Sequence, residues 1–319
     1  MTEIIQRPAV GFGEGAIEFV GLHDGVEAGR EVGLPFKVRV GGAEYAAFAG
    51  SDLKVAEAHR QSNLGMLLPE AMREASADGI AVAGAVSRMA QPVYEFLGFS
   101  NFQMPRYAVP LQGCRHFGVL GGCAIAIYWM LLRAMTRVNT RGLEFESVDP
   151  DDRDMIRAVA DLIAADAYPC CEVHDEAWLW RHLHEGFSGD PLTMTVIRKD
   201  GQLVGTCLTK VRHKDKIRNL RDVRLGSVVE WQVKDEFKRL TGWVLVRAAS
   251  SLAGVADLVE IPTVDAAIQG LLKKLHWRQT GACNFMIGVS EKSPLAGNML
   301  IEKAENWRLR PAMGDNGVC

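Results

Sequence analysis

The chain has 319 residues, 48% of them hydrophobic and 24% charged, which is enough for two folded domains with ordinary cores. Its formal charge of -3 offers no basic footprint of the kind a phosphate backbone needs, so nucleic-acid binding is not expected. Seven cysteines are scattered without CxxC pairs, and adjacent Cys170 and Cys171 suit neither a disulfide framework nor a structural zinc site, so a reducing cytoplasm is the simpler reading; the opening MTEIIQRPAV carries no apolar core of a secretory signal.

Taken in order, Ala16 to Val20, Phe36 to Val40 and Tyr45 to Phe48 predict strands of an antiparallel meander, with Gly41-Gly42 as the hairpin turn of KVRVGGAEY. Ser51 to Val55 continues as a strand and Leu64 to Met72 has helical apolar spacing, so the backbone must turn within Ala56 to Asn63. A strand feeding directly into a helix leaves unpaired amide donors and a partial positive charge at the helix start, which can hold a phosphate. Asn63 and Gly65 suit such a loop, because asparagine tolerates left-handed geometry and glycine permits close backbone approach. Gly79 to Gly84 then predicts a buried strand, Ser87 to Leu97 a short helix stopped by Gly98, and Phe99 to Leu111 terminal strands.

The uncharged run Phe117 to Leu132 is shorter than a spanning helix and contains three glycines in its first half, which favours a buried linking helix. Membrane contact is not expected, although Arg133 and Arg137 would suit an interfacial attachment and keep that option open. A second unit begins at Phe145 with a strand, the capping run Asp149-Pro150-Asp151 and an amphipathic helix carrying Ile156, Val159 and Ile163 on one face. Thr193 to Arg198 and Gln202 to Lys210 form a hairpin around Lys199-Asp200-Gly201. Strands at Ser227 to Val233, Asp257 to Thr263 and Cys283 to Val289 alternate with helices at Thr241 to Ala253 and Asp265 to Leu275.

Two motifs carry a family resemblance. Arg60, Asn63 and Gly65 stand where the acyl-CoA pyrophosphate loop of the GCN5-related N-acetyltransferase (GNAT) superfamily has Arg or Gln, two residues, Gly, one residue, Gly or Ala, with Asn63 replacing a glycine. Downstream, Ser87, Ala90, Tyr94 and Leu97-Gly98-Phe99 resemble the family's Asn, two residues, Ala, three residues, Tyr, Leu-Gly-Phe, with Ser87 in place of Asn. The resemblance implies an α/β (α+β) fold of tandem GNAT-like domains, each a mixed, mostly antiparallel sheet flanked by helices. On this reading 1–112 is an N-terminally trimmed acyl-CoA-binding domain, 113–142 a linker with the apolar helix, and 143–319 a degenerate copy that contributes to the acceptor site. The copy lacks the loop, since SVVEWQV runs into KDEFKRLTGW. AWLWRHL and the tail Trp307 to Asp315 are similar to two-domain acyltransferases of bacterial polysaccharide and sugar-nucleotide metabolism.

What the resemblance implies is direct acyl transfer from acetyl-CoA or another acyl-CoA to the amine of a small molecule, with a nucleotide-linked amino sugar as the sharpest case. Leu53, Lys54, Val55, Arg60, Gln61, Ser62, Asn63, Leu64, Gly65 and Met66 would hold the donor, and the Ser87 hydroxyl would reach a pantetheine amide. Tyr94 would protonate the departing thiolate, or else it is a core tyrosine. The base is open: Asp52 faces the acceptor or satisfies strand-end amides, with Glu57 and His59 beside it. Glu230 and Trp231 line an acceptor pocket or sit at a strand edge. His174, Asp175, Glu176, His182 and His184 do not place ligands on one helix face, so polar surface is expected there and no metal. Acyl-carrier-protein donors, longer acyl chains and a non-catalytic acyl-CoA-binding protein are the alternatives; oligomeric state is not readable.

Overall fold

The computed structural model describes every residue except 13, 85, 187, 188, 191, 218 and 314–319, so the Gly-Asp pair at 314–315 expected in the tail lies outside the described residues. In chain order the elements begin with β1 (Thr2–Pro8), β2 (Ile17–His23), β3 (Val26–Val40), β4 (Ala43–Val55), α1 (Leu64–Ala75), β5 (Ile80–Gly84), α2 (Gln91–Phe96), β6 (Ser100–Pro110) and α3 (Cys114–Asn139). They continue with β7 (Glu144–Ser147), α4 (Arg153–Ala164), β8 (Cys170–Glu172), α5 (Glu176–Glu185), β9 (Leu192–Lys199), β10 (Gln202–Ile217), β11 (Leu220–Val233), α6 (Thr241–Ser251), β12 (Leu258–Pro262), α7 (Ala266–Lys274) and β13 (Arg278–Val289).

The chain forms two units that interleave. The first comprises Met1–Met104, Ala167–Val173 and the described chain from Cys283 onward; the second comprises Pro105–Asp166 and His174–Ala282. This differs from the sequential division at 112 and 142, because each unit is closed by a strand from elsewhere in the sequence. β13 pairs antiparallel with β5 in the first unit, and the Arg106–Pro110 part of β6 pairs antiparallel with β12 in the second. Strand partners are set by long-range register, which composition does not encode.

In the first unit β1 to β4 form an antiparallel meander whose last hairpin turns on Gly41 and Gly42, both at positive φ, as the sequence predicts. β4 runs parallel to β5. Leu64, Leu68 and Met72 of α1 are fully buried, Leu68 and Met72 against Phe19 and Phe48 of the sheet. The helix comes so close that a Cβ on Gly21 would lie 2.4 Å from Leu64 Cδ2. That glycine, with Gly29, Gly33 and Pro35, masks the true length of β2 and β3 in the sequence.

The second unit has β7, β9, β10 and β11 as antiparallel neighbours in that order and β12 parallel to β11. Its core joins Trp129 and Leu132 of α3 to Val244, Leu245 and Ala249 of α6 and to Leu272 and Trp277. Ile156, Val159 and Ile163 of α4 are buried as expected, but the cap is Asp152, whose Oδ1 accepts from the Met155 N–H at 3.0 Å. One expectation is corrected. α3 is not a buried linker: only 17% of its most apolar window is covered. Cys123, Cys170, Cys171 and Cys207 take part in no disulfide, whereas Cys283 is disulfide-bonded.

Candidate functional site

β4 and β5 pair only from Ala47–Gly50 to Ile80–Ala83; beyond that β4 continues to Val55 while β5 ends at Gly84. The two parting strands open a cavity of about 310 Å³. Gly50 to Leu53 of β4 and Ala83 and Gly84 of β5 form two walls, Val86, Ser87, Ala90 and Tyr94 a third, and Glu31 reaches in from β3. A β-bulge shapes the first wall. Arg30 pairs with Lys54 and Val32 with Ser51, so Glu31 alone faces Asp52 and Leu53, and Asp52 adopts the left-handed conformation (φ +54°) that such a bulge needs. The ladder is thereby interrupted at Asp52 and Leu53.

Glu31 is the residue the sequence did not single out. It is completely buried, and Tyr94 Oη donates to its Oε1 at 2.9 Å. Its Oε2 is buried without a hydrogen-bond partner among the described residues. Burial pushes the Glu31 carboxyl up to about 8, against the opposing pull of the Tyr94 hydrogen bond. Tyr94 is pushed well above its ordinary value by burial and then by the nearby carboxylate. Room for the carboxyl comes from Gly50, where a Cβ would sit 2.7 Å from Glu31 Oε1. The only sequence trace of this arrangement is a glutamate between Gly29 and Gly33 on one strand face, which gains meaning once Gly50 is known to lie opposite.

Tyr94 sits on α2 with its ring edge-to-face with Phe99, centroids 5.1 Å apart, and Arg73 Nη1 donates to Leu97 O at 2.8 Å to close the turn behind it. Asp52 has a different setting from that of a free base. Arg30 Nη2 donates to its Oδ2 at 2.6 Å and Lys54 Nζ pairs with its Oδ1. Burial raises Asp52, but the hydrogen bonds from Lys54 and Arg30 outweigh it and hold the carboxyl below its ordinary value. Ser87 lies on the cavity wall, where its hydroxyl accepts from the Ala90 N–H at 3.2 Å.

The loop at Glu57–His59 is a 3-10 turn, and α1 starts at Leu64 without a side-chain cap or an acidic residue in its first turn. The first i to i−4 bond of α1 is made by Leu67 to Asn63 O, so the amides of Leu64 and Gly65 lie ahead of the hydrogen-bonded ladder; that of Leu64 donates to Ser62 Oγ at 3.4 Å. Above Gly65 a Cβ would meet nothing within 4 Å. Arg60, Gln61 and Asn63 are exposed beside it. A helix start left uncovered at Gly65, with no acidic residue in its first turn, favours an anion. Glu57 is also exposed in this loop, outside the cavity lining, and the His59 ring packs against His23 with centroids 4.9 Å apart.

In the second unit, His174 and His182 are buried, which corrects the expectation of polar surface; His184 is exposed. His174 Nδ1 lies 2.8 Å from Glu230 Oε2 and its ring stacks on Trp178 at 3.8 Å. Glu230 is fully buried, not at a strand edge.

No family model matches the sequence, and no curated protein matches it. Solved structures do resemble the fold. A GCN5-related N-acetyltransferase from Anabaena variabilis aligns over 85% of this chain and 62% of its own at 13% identity, TM-score 0.54. One from Kribbella flavida aligns over 85% and 59% at 14% identity, TM-score 0.53. Saccharomyces cerevisiae N-myristoyltransferase, with bound myristoyl-CoA, aligns over 85% and 65% at 14% identity, TM-score 0.55. The chain spans about six tenths of the length of these structures. With a mixed sheet flanked by helices and a cavity where two parallel strands part, it has the fold of the GCN5-related N-acetyltransferases.

Proposed function

We propose that the chain is an acyl-CoA-dependent N-acyltransferase in which Glu31 is the base and Tyr94 the proton donor. The observation that carries this reading is the buried Tyr94–Glu31 hydrogen bond inside the cavity where β4 and β5 part, beside the open helix start at Gly65. The donor's diphosphate would lie on the amide of Gly65 next to Arg60, and its thioester carbonyl against an N–H of the bulge at Asp52–Leu53.

Glu31 takes a proton from the acceptor's ammonium group. In water that transfer is uphill, but burial penalises a carboxylate–ammonium pair relative to the neutral acid and amine, which narrows the gap. The free amine forms the N–C bond and the C–S bond breaks. Sulfur takes the Tyr94 phenolic proton, Tyr94 recovers one from Glu31 along their hydrogen bond, and the second nitrogen proton leaves to solvent. Asp52, tied to Arg30 and Lys54, instead fixes the bulge. The acceptor is the amine of a polar small molecule; its narrowing to a nucleotide-linked amino sugar rests on the AWLWRHL resemblance.

Calorimetric titration of the purified protein with acetyl-CoA, together with mass spectrometry of any co-purified ligand, tests this reading and reads the acyl length. Saturable binding that is lost in Gly65→Trp is expected. Absence of binding by the unaltered chain overturns it.

A further inference from the structure

α3 breaks helical geometry at Gly118 (φ +69°, ψ -179°), so its continuous part begins at Val119 and extends about 30 Å at ~1.5 Å per residue. Gly122, Trp129, Leu132 and Thr136 recur at helical spacing as its buried stripe. Side-chain bonds clamp that side down: Trp129 Nε1 donates to Pro110 O at 2.7 Å and Tyr128 Oη to Leu275 O at 2.8 Å. The opposite side is equally apolar and has no cover among the described residues. Leu120, Ile127, Leu131 and Val138 share that outward face, and they are 87%, 56%, 57% and 74% exposed. Ala124 and Ala134 complete it, both exposed. Folded chains rarely leave so long an apolar surface in water without a purpose.

Charge indicates what covers it. From Cys114 to Leu143 the segment holds Arg115, Arg133, Arg137 and Arg141 and no Asp or Glu, in a chain whose net charge is -3. Arg133 and Arg137 are exposed on the helix and lie along one edge of the apolar face. A second copy of the helix would bring arginines against arginines with no carboxylate on α3 to pair them. A spanning orientation would strip Trp129 and Leu132 from the core that buries them. An apolar face edged by cations that have no ion pair among the described residues is what an anionic lipid surface accepts: the face enters the acyl boundary and the guanidinium groups meet phosphates. We infer that the outward face of α3 docks in the plane of an anionic phospholipid surface.

Flotation of the full chain with phosphatidylglycerol-containing vesicles, compared with pure phosphatidylcholine vesicles, tests this. Binding to the anionic vesicles is expected, reduced about tenfold or more by Arg133→Gln with Arg137→Gln and abolished by Ile127→Glu with Leu131→Glu. Both apolar positions are more than half exposed, so the melting temperature should hold; if that pair does not fold, Leu120→Glu at 87% exposure takes its place. The inference is overturned by failure of the unaltered chain to float, by flotation indifferent to these substitutions, or by light scattering that finds a dimer which Ile127→Glu with Leu131→Glu dissociates.

Discussion

Each unit carries a fully buried glutamate near a bulged strand, and the two differ in what faces the carboxyl. In the first, the bulge is on β4 and Glu31 lies opposite it. In the second, Leu208 pairs with Glu230 and Thr209 with Val228, so the bulge is on β11 with Val229 as its extra residue, and the glutamate adjoins it. Both bulged strands lead through a 3-10 turn into a helix. Glu230 has a histidine 2.8 Å away and takes the Trp231 N–H at 2.6 Å, whereas Glu31 has a phenol, an orphaned oxygen and a cavity. The helix starts differ likewise. Gly65 faces open space, but a Cβ on Gly242 would lie 2.7 Å from Leu271 Cδ2. A shared backbone device therefore does not make a site; what fills the space beside it decides.

The sharpest way to break the comparison is to remove each carboxylate's charge. Glu31→Gln should lower kcat by roughly 10²- to 10³-fold with little change in KM, as loss of a general base does, while acetyl-CoA still binds. Glu230→Gln should leave donor binding intact and cost about 2 kcal/mol in denaturant unfolding, the order expected for a buried hydrogen bond to a charged group. Equal loss of activity with no loss of stability at Glu230 would erase the distinction.

A pH series sharpens it next. Glu31 is raised to about 8 in the folded chain from an ordinary 4.5, so between those values the folded state holds a proton that the unfolded state has released. Stability conferred by that proton is complete below the unfolded value and is lost as pH rises through the folded one, with a slope of at most about 1.4 kcal/mol per pH unit. Unfolding free energies of the unaltered chain should fall relative to Glu31→Gln across this window and run parallel above it. The kcat of the unaltered chain should rise with pH through the same region, since the base must be ionised.

Much of this architecture was legible before any coordinates. α1 begins at Leu64, and the short helix α2 carries Tyr94 within the span that patterning assigned to a helix. Glu31 was not legible, because its environment is assembled from Gly50 across the ladder and from Tyr94, 63 positions along the chain. The interleaving of the units was hidden for a related reason: the apolar run of β13 reads the same whichever strand it pairs with. The burial of α3 was misjudged because hydropathy alone cannot distinguish an apolar face turned inward from one turned out.

The smallest expected difference probes the two helix starts. Gly65→Ala places a methyl group in open space within the first turn of α1, where alanine removes some of the unfolded chain's freedom, so a gain of up to about 0.5–1 kcal/mol is expected. Gly242→Ala presses the same methyl group against Leu271, and a cost of about 1 kcal/mol or more should outweigh that backbone gain. Measured by denaturant unfolding, the two changes should thus have opposite signs. Matching gains would mean that Leu271 can withdraw, that the start of α6 is as open as that of α1, and that space beside the helix start does not separate the two units.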